Sequence, residues 1–186
     1  MSKPAFIVDG FMEKEIIQRL CPGRPISRTD LNGKSVTIEA ICKKVATFVR
    51  MWGNRYYPII VLVDKEARNM NFDEMAEALR ECLFAQGLHG QDIRVGVANR
   101  MIENWILADW ETLAGGRKKP VVTEGVNGTS VIRSLKGSYG KTTDGVEFFL
   151  NARQEIMYEN SESYRHFVNQ LDGIDCPYLD FRKVGL

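Results

Sequence analysis

The chain has 186 residues, 44% hydrophobic and 26% charged, a balance that suits a globular protein able to bury a core without staples. Lys and Arg number 25 against 24 Asp and Glu, a formal charge of +1, which excludes nucleic-acid binding by bulk charge and leaves room only for a local basic patch. No apolar run approaches the roughly 18 residues of a membrane span, so no membrane partner is expected.

The start, "MSKPAFIVDG", runs almost directly into a strand and has no signal-peptide pattern. Cys21, Cys42, Cys82 and Cys176 form no C-x-x-C pair, and His89 and His166 add no zinc spacing. Scattered thiols of this kind predict a reducing, cytoplasmic setting.

Residues 5–9, "AFIVD", read as a short buried strand ending in an acid and a glycine. "FMEKEIIQRL" follows with Met12, Ile16, Ile17 and Leu20 at helical spacing. "CPGRPISRTDLNGK" is rich in breakers and holds at most a short strand at 25–28. "SVTIEAICKKVATFVRMW" is the clearest helix: Ile38, Ile41, Cys42, Val45, Val49 and Trp52 share a face, and Ser35 or Thr37 would cap it. The run 59–63 is a buried strand, and "NFDEMAEALRECLFAQG" an amphipathic helix stopped by Gly87. "DIRVGVA" alternates as a strand, and "RMIENWILADWETL" is expected to follow as one helix, with Trp105 and Trp110 as core and interface residues.

Strand and helix thus alternate over residues 1–113, which predicts an α/β core: a mostly parallel sheet with helices on both faces. Residues 114–186 read as an extension packed on that core. It has long Gly-, Lys- and Thr-rich loops around the short helix "TSVIRSL", then two or three short helices. Tyr164, Phe167, Val168 and Leu171 make one packing stripe there.

Ligands of such sheets bind beyond the carboxyl ends of the strands, and that is where four acids fall. Asp9 ends the first strand, Asp64 and Glu66 end the strand at 59–63, and Glu103 opens the helix after "IRVGVA". In extended geometry residues 64 and 66 point the same way. Facing carboxylates repel unless a cation lies between them, and an all-oxygen set suits Mg²⁺ or Mn²⁺. Taken singly, each acid is equally explained as a solvated turn or a helix-dipole partner.

"FIVDGFMEKEI" followed by "VLVDKE" resembles the Toprim domain of topoisomerases, bacterial primases and OLD-family nucleases. "MIENWILAD", "YGKTTDG" and "SYRHFVNQL" are similar to a narrower group, small standalone bacterial Toprim-like proteins encoded beside an ATPase in phage-defence loci. The resemblance implies a Toprim/Rossmann-like fold and a metal-dependent nuclease, the effector of an ATPase-linked anti-phage system. Asp9 stands where the family has its first acid, usually glutamate, as general acid/base or metal ligand. Glu13 stands where a second acid often follows, and Asp64 and Glu66 take the metal positions. Asp9 is one methylene shorter than that glutamate, and Glu66 one longer than the usual aspartate. The implied partners are an ATPase of the OLD/ABC type and a DNA or RNA substrate.

"GSYGKTTDG" is not a P-loop: Leu135 stands where its first glycine is required, and no strand precedes it. Lys141 in this loop is either a solvated lysine or a phosphate contact. Arg117, Lys118 and Lys119 form a second basic loop. Tyr139 is read as packing rather than as a base-stacking ring. Two further functional classes compete: a catalytically degenerate protein that binds and regulates an ATPase, and a phosphoacceptor receiver domain. The last requires adjacent acids after the first strand, where this chain has Asp9, Gly10 and Phe11. An exposed helix face would serve a homo-oligomer or an ATPase.

Overall fold

A computed structural model describes residues 3–31, 33, 35–176 and 178–183. Four strands, β1 (Ala5–Val8), β2 (Ile26–Arg28), β3 (Ile59–Asp64) and β4 (Ile93–Ala98), form one parallel sheet in the order β2-β1-β3-β4. β1 and β3 are central and buried along their whole length. That burial on both faces is why they read as continuous apolar runs rather than alternating ones.

Successive residues still point to opposite faces. Phe6, Val8, Ile60, Leu62 and Ala98 join one hydrophobic cluster, and Ala5, Ile7, Ile59, Val61, Val63, Val95 and Val97 join another. The second cluster is closed by α2 (Ile38–Trp52) and α3 (Phe72–Ala85). Their apolar stripes, Ile41, Val45 and Val49 on one helix and Met75, Leu79 and Leu83 on the other, lie inward. Thr37, not Ser35, caps α2 by accepting from the Ala40 amide at 3.1 Å. The first cluster is closed by α1 (Phe11–Leu20) together with helices from the second half of the chain.

The chain therefore winds in both directions. From β1 it moves outward to β2 through α1 on one face; it then returns to β3 and goes on to β4 through α2 and α3 on the other. In a parallel sheet that reversal opens a crevice at the carboxyl ends of the two central strands. Asp9 follows β1 and Asp64 ends β3, so both stand at the crevice.

The segment expected to be one helix from 101 to 114 is two, α4 (Glu103–Ala108) and α5 (Trp110–Ala114). Asp109 breaks them with φ −96° and ψ 62°. Its buried carboxylate accepts from the Arg153 backbone amide at 2.8 Å and from its guanidinium at 2.6 and 3.1 Å. That partnership holds its carboxyl at about 2 despite the opposing effect of burial. A distant cation, absent from the local pattern, overrides helix propensity here.

Beyond residue 114 come α6 (Gly128–Lys136), α7 (Asp144–Asn151), α8 (Gln154–Asn160) and α9 (Glu162–Asn169). Tyr164, Phe167, Val168 and Leu171 are all buried in the same cluster as Phe6 and Leu62. Trp105 stacks on Phe167 at 5.2 Å between centroids and donates its indole N–H to Ser163 Oγ at 2.8 Å. Gly96 in β4 allows this approach, since a Cβ there would lie 2.6 Å from Phe167 Cδ2. Among the described residues no helix is long and apolar enough to cross a membrane.

The four cysteines, expected as separate thiols, are paired. Cys21 joins Cys176 and Cys42 joins Cys82, with Cα separations of 5.3 and 6.2 Å. Partners 155 and 40 residues apart leave no spacing motif for sequence reading to find.

Candidate active site

Asp9, Gly10, Phe11, Met12, Glu13, Asp64, Glu66, Lys141 and Thr142 line one pocket of about 240 Å³ at the crevice. The sequence-predicted residues therefore converge, with Glu103 as the exception: it is fully buried, does not line the pocket, and reaches the group through Lys141.

Each acid is fixed by its own element. Asp9 Oδ1 accepts from the Thr29 hydroxyl at 2.6 Å, a residue brought alongside by the β1–β2 pairing. Glu13, in the first turn of α1, folds back to accept from the Gly10 amide at 3.1 Å. Asp64 Oδ1 accepts from the Ile102 amide at 3.0 Å, which ties the end of β3 to the entrance of α4. Glu103 Oε1 accepts from Thr129 at 2.8 Å and from the Tyr139 hydroxyl at 3.3 Å. Gly128 allows the first contact, because a Cβ there would lie 2.7 Å from that of Glu103.

The expectation that residues 64 and 66 share an extended backbone is corrected. β3 ends at Asp64, and Glu66 has φ +59°, in the left-handed region. Its amide donates to Arg100 O at 2.7 Å, and its Oε1 accepts from the Gly33 amide at 3.2 Å. The turn separates the two carboxylates, yet both reach the pocket. Arg68 locks the same turn, donating to the carbonyls of Lys65 at 2.7 Å and Val36 at 2.6 Å.

Asp9, Glu13, Asp64 and Glu103 are all buried. Burial pushes the Asp9 carboxyl up against the pull of its Thr29 hydrogen bond. Burial likewise raises Glu13 against the pull of Lys141. Asp64 is raised well above the usual carboxylate range, by burial first and then by the Glu13 charge. The Lys141 ammonium answers them, 3.8 Å from Asp64 Oδ2 and 3.5 Å from Glu103 Oε2. Burial of Lys141 works against its charge, but Asp64, Glu103 and Glu13 outweigh it and hold the ammonium above the usual lysine range. Tyr139 is raised as well, by burial and by Glu103, so its hydroxyl stays a donor. Its ring stacks on Phe148 at 6.3 Å, in keeping with a packing role.

The Lys141 ammonium answers the buried carboxylates of Asp64, Glu103 and Glu13, the Arg68 guanidinium acts on Asp9, and Glu103 Oε2 accepts no hydrogen bond among the described residues. An oxygen-only donor set is of the chemical kind that Mg²⁺ or Mn²⁺ takes. The donors are not gathered in advance: among the described residues no three His, Cys, Asp or Glu side chains converge as a ligand set.

Lys118, Lys119, His89 and His166 lie outside the pocket lining. Arg117 is engaged with Leu135 O at 2.9 Å. Sequence reading missed Thr29, Thr129 and the role of Phe11 at the pocket mouth. Threonines on separate loops carry no local signal, whereas an aromatic residue directly after Asp9-Gly10 was visible.

No family model matches this chain, and comparison with curated proteins and with solved structures finds no significant match.

Proposed function

We propose that the chain is a divalent-metal-dependent phosphodiester hydrolase that cleaves or nicks DNA or RNA, as the effector of an ATPase of the OLD/ABC type in anti-phage defence. The observation that carries this reading is the set of buried carboxylates at the switch point of a parallel sheet, with the Lys141 ammonium against Asp64 and Glu103 and the Arg68 guanidinium acting on Asp9. Keeping so many acids out of water costs several kcal/mol unless a cation compensates, so their burial points to function rather than to stability. The Toprim resemblance supports the same assignment and implies a cytoplasmic location, which the paired cysteines no longer support.

Asp9, Glu13, Asp64 and Glu66 would hold the ion, which supplies charge to a phosphoryl oxygen and lowers the pKa of water. The chain's own groups do the rest. Asp9, with its carboxyl pushed up by burial, would hold a proton more readily than an ordinary carboxylate when it is not engaged by the ion. Lys141 brings positive charge to the pocket for a phosphate oxygen, and Glu103 keeps that ammonium aimed. Near-neutral overall charge gives weak capture of substrate from solution, which the ATPase partner would remedy.

The test is cleavage of labelled DNA and RNA with Mg²⁺ or Mn²⁺, with and without the ATPase, comparing the wild type with an Asp64→Asn, Glu66→Gln double variant. Cleavage that survives the double substitution would falsify the assignment. A second reading, a degenerate protein that only binds and regulates an ATPase, is favoured by one observation: Lys141 already pairs with Asp64 and Glu103. Saturable Mn²⁺ binding by calorimetry, lost in the double variant, would eliminate it.

A further inference from the structure

Phe11 is 54% exposed although it lines the carboxylate pocket. Single exposed apolar residues are ordinary, but this one is both placed and held. It opens α1 directly after Asp9 and Gly10, so its position is tied to the backbone of the first acid. Arg28, the last residue of β2, lays its guanidinium on one ring face, with Cζ 3.4 Å from the centroid. Arg28 Nη1 also lies 3.0 Å from Asp30 Oδ1, an ion pair without hydrogen-bond geometry. With one face backed by a cation, the exposed area of Phe11 falls on the opposite face and the edge.

The pocket itself, at about 240 Å³, is smaller than the roughly 300–1,000 Å³ of sites that enclose a whole small molecule. It has room for a phosphate and its ion, and whatever is attached to that phosphate must lie at the rim, where Phe11 stands. The chemical group that a fixed, half-covered aromatic plate accepts beside a phosphate is a flat, π-faced ring.

We propose that Phe11, backed by Arg28, is a stacking seat for an unpaired nucleobase of a polynucleotide whose neighbouring phosphate enters the carboxylate pocket. This deepens the phosphodiester reading and rests on it. A base inside a duplex has both faces occupied, so the seat selects single strands, frayed ends or extruded bases. Stacking is indifferent to base identity, so the seat sets strandedness rather than sequence.

The experiment measures binding of short fluorescent single strands, DNA and RNA, by anisotropy in the Asp64→Asn background, where cleavage is not expected. Phe11→Ala, Phe11→Leu and Phe11→Trp are compared on that background. Alanine is expected to weaken binding by about tenfold or more, leucine nearly as much, and tryptophan to restore it. An abasic position walked along the strand should reproduce the loss at one register, and there Phe11→Ala should cost nothing further. Duplex of the same sequence should bind more weakly than the single strand. Binding that is equal with Phe11 intact and with Phe11→Ala on the Asp64→Asn background, or leucine performing as well as tryptophan, overturns the stacking seat and leaves the hydrolase reading standing. A Phe11 effect on free mononucleotide but not on strands overturns it too. Absence of any binding or cleavage of nucleic acid, with the ATPase present, removes the hydrolase reading and the seat with it.

Discussion

Replacing Lys141 with methionine keeps the length and apolar stem of the side chain and removes its charge. The ammonium lies 3.5 Å from Glu103 Oε2 and 3.8 Å from Asp64 Oδ2. At an effective dielectric of about 20 each pair is worth roughly 4–5 kcal/mol before desolvation. The Lys141 side chain is 44% exposed, so water screens it, and ion pairs with one wet partner retain only a fraction of that value. The two carboxylates left behind are buried, and an uncompensated buried acid is expensive. The expected net loss is about 2 kcal/mol at about pH 7.5. Its pH dependence identifies the cause. The Asp9, Glu13 and Asp64 carboxyls are raised in the folded state, so lowering the pH toward the unfolded carboxylate range of about 4 protonates them in the native protein before the unfolded chain, and the cost of losing Lys141 shrinks. Urea denaturation at the two pH values reads this directly as a midpoint shift at constant m. An equal loss at both values would show that Lys141 stabilises by packing alone and would refute the electrostatic account.

The same linkage has a simple sign in the wild type. Groups with raised folded-state values give stability that is fully present below the unfolded value and lost as pH rises through the folded one, so without metal the melting temperature should climb as the pH falls from neutrality toward the unfolded carboxylate range of about 4. A flat profile over that window would contradict the burial of Asp9, Glu13 and Asp64. Asp64→Asn should raise the melting temperature of the metal-free protein near neutrality while reducing its gain on adding Mn²⁺; stabilisation of both forms alike would separate Asp64 from the ion. Asp109→Asn removes a charged acceptor of three Arg153 donors and should cost about 2–3 kcal/mol. Because the Asp109 carboxyl is depressed to about 2, its contribution is present above the unfolded value and fades only in strong acid, a trend visible by denaturation below about pH 4. Gly96→Ala should destabilise by about 1–3 kcal/mol through collision with Phe167, and a smaller residue at 167 should recover part of that loss.

The three longer strands and α1 to α3 could be read from sequence because their signals are local. Val61 and its neighbours form an apolar run that only a doubly covered strand supports, and Ile41, Val45 and Val49 repeat at helical spacing. Asp9 and Asp64 were legible for a topological reason: acids at the ends of strands in an alternating α/β chain fall on one rim. What escaped is non-local. The break at Asp109 depends on Arg153, and the pairing of Cys21 depends on Cys176. The left-handed turn at Glu66 is set by Arg100 and Gly33 across the rim. Lys141 was visible as a loop lysine with two readings, and only its distances to Asp64 and Glu103 choose its partners.

The helices after residue 114 complete the second wall of the sheet, joining α1 and α4 in the cluster that holds Phe6, Val8, Ile60 and Leu62. During synthesis, therefore, one side of the sheet has only partial cover, from α1 and α4, until the last third of the chain leaves the ribosome. The lysine that answers the acidic crevice arrives in that same portion. A polypeptide stopped early would carry one half-covered sheet face and a cluster of acids without Lys141, so truncated products should be short-lived, and a half-made protein could not present a finished pocket.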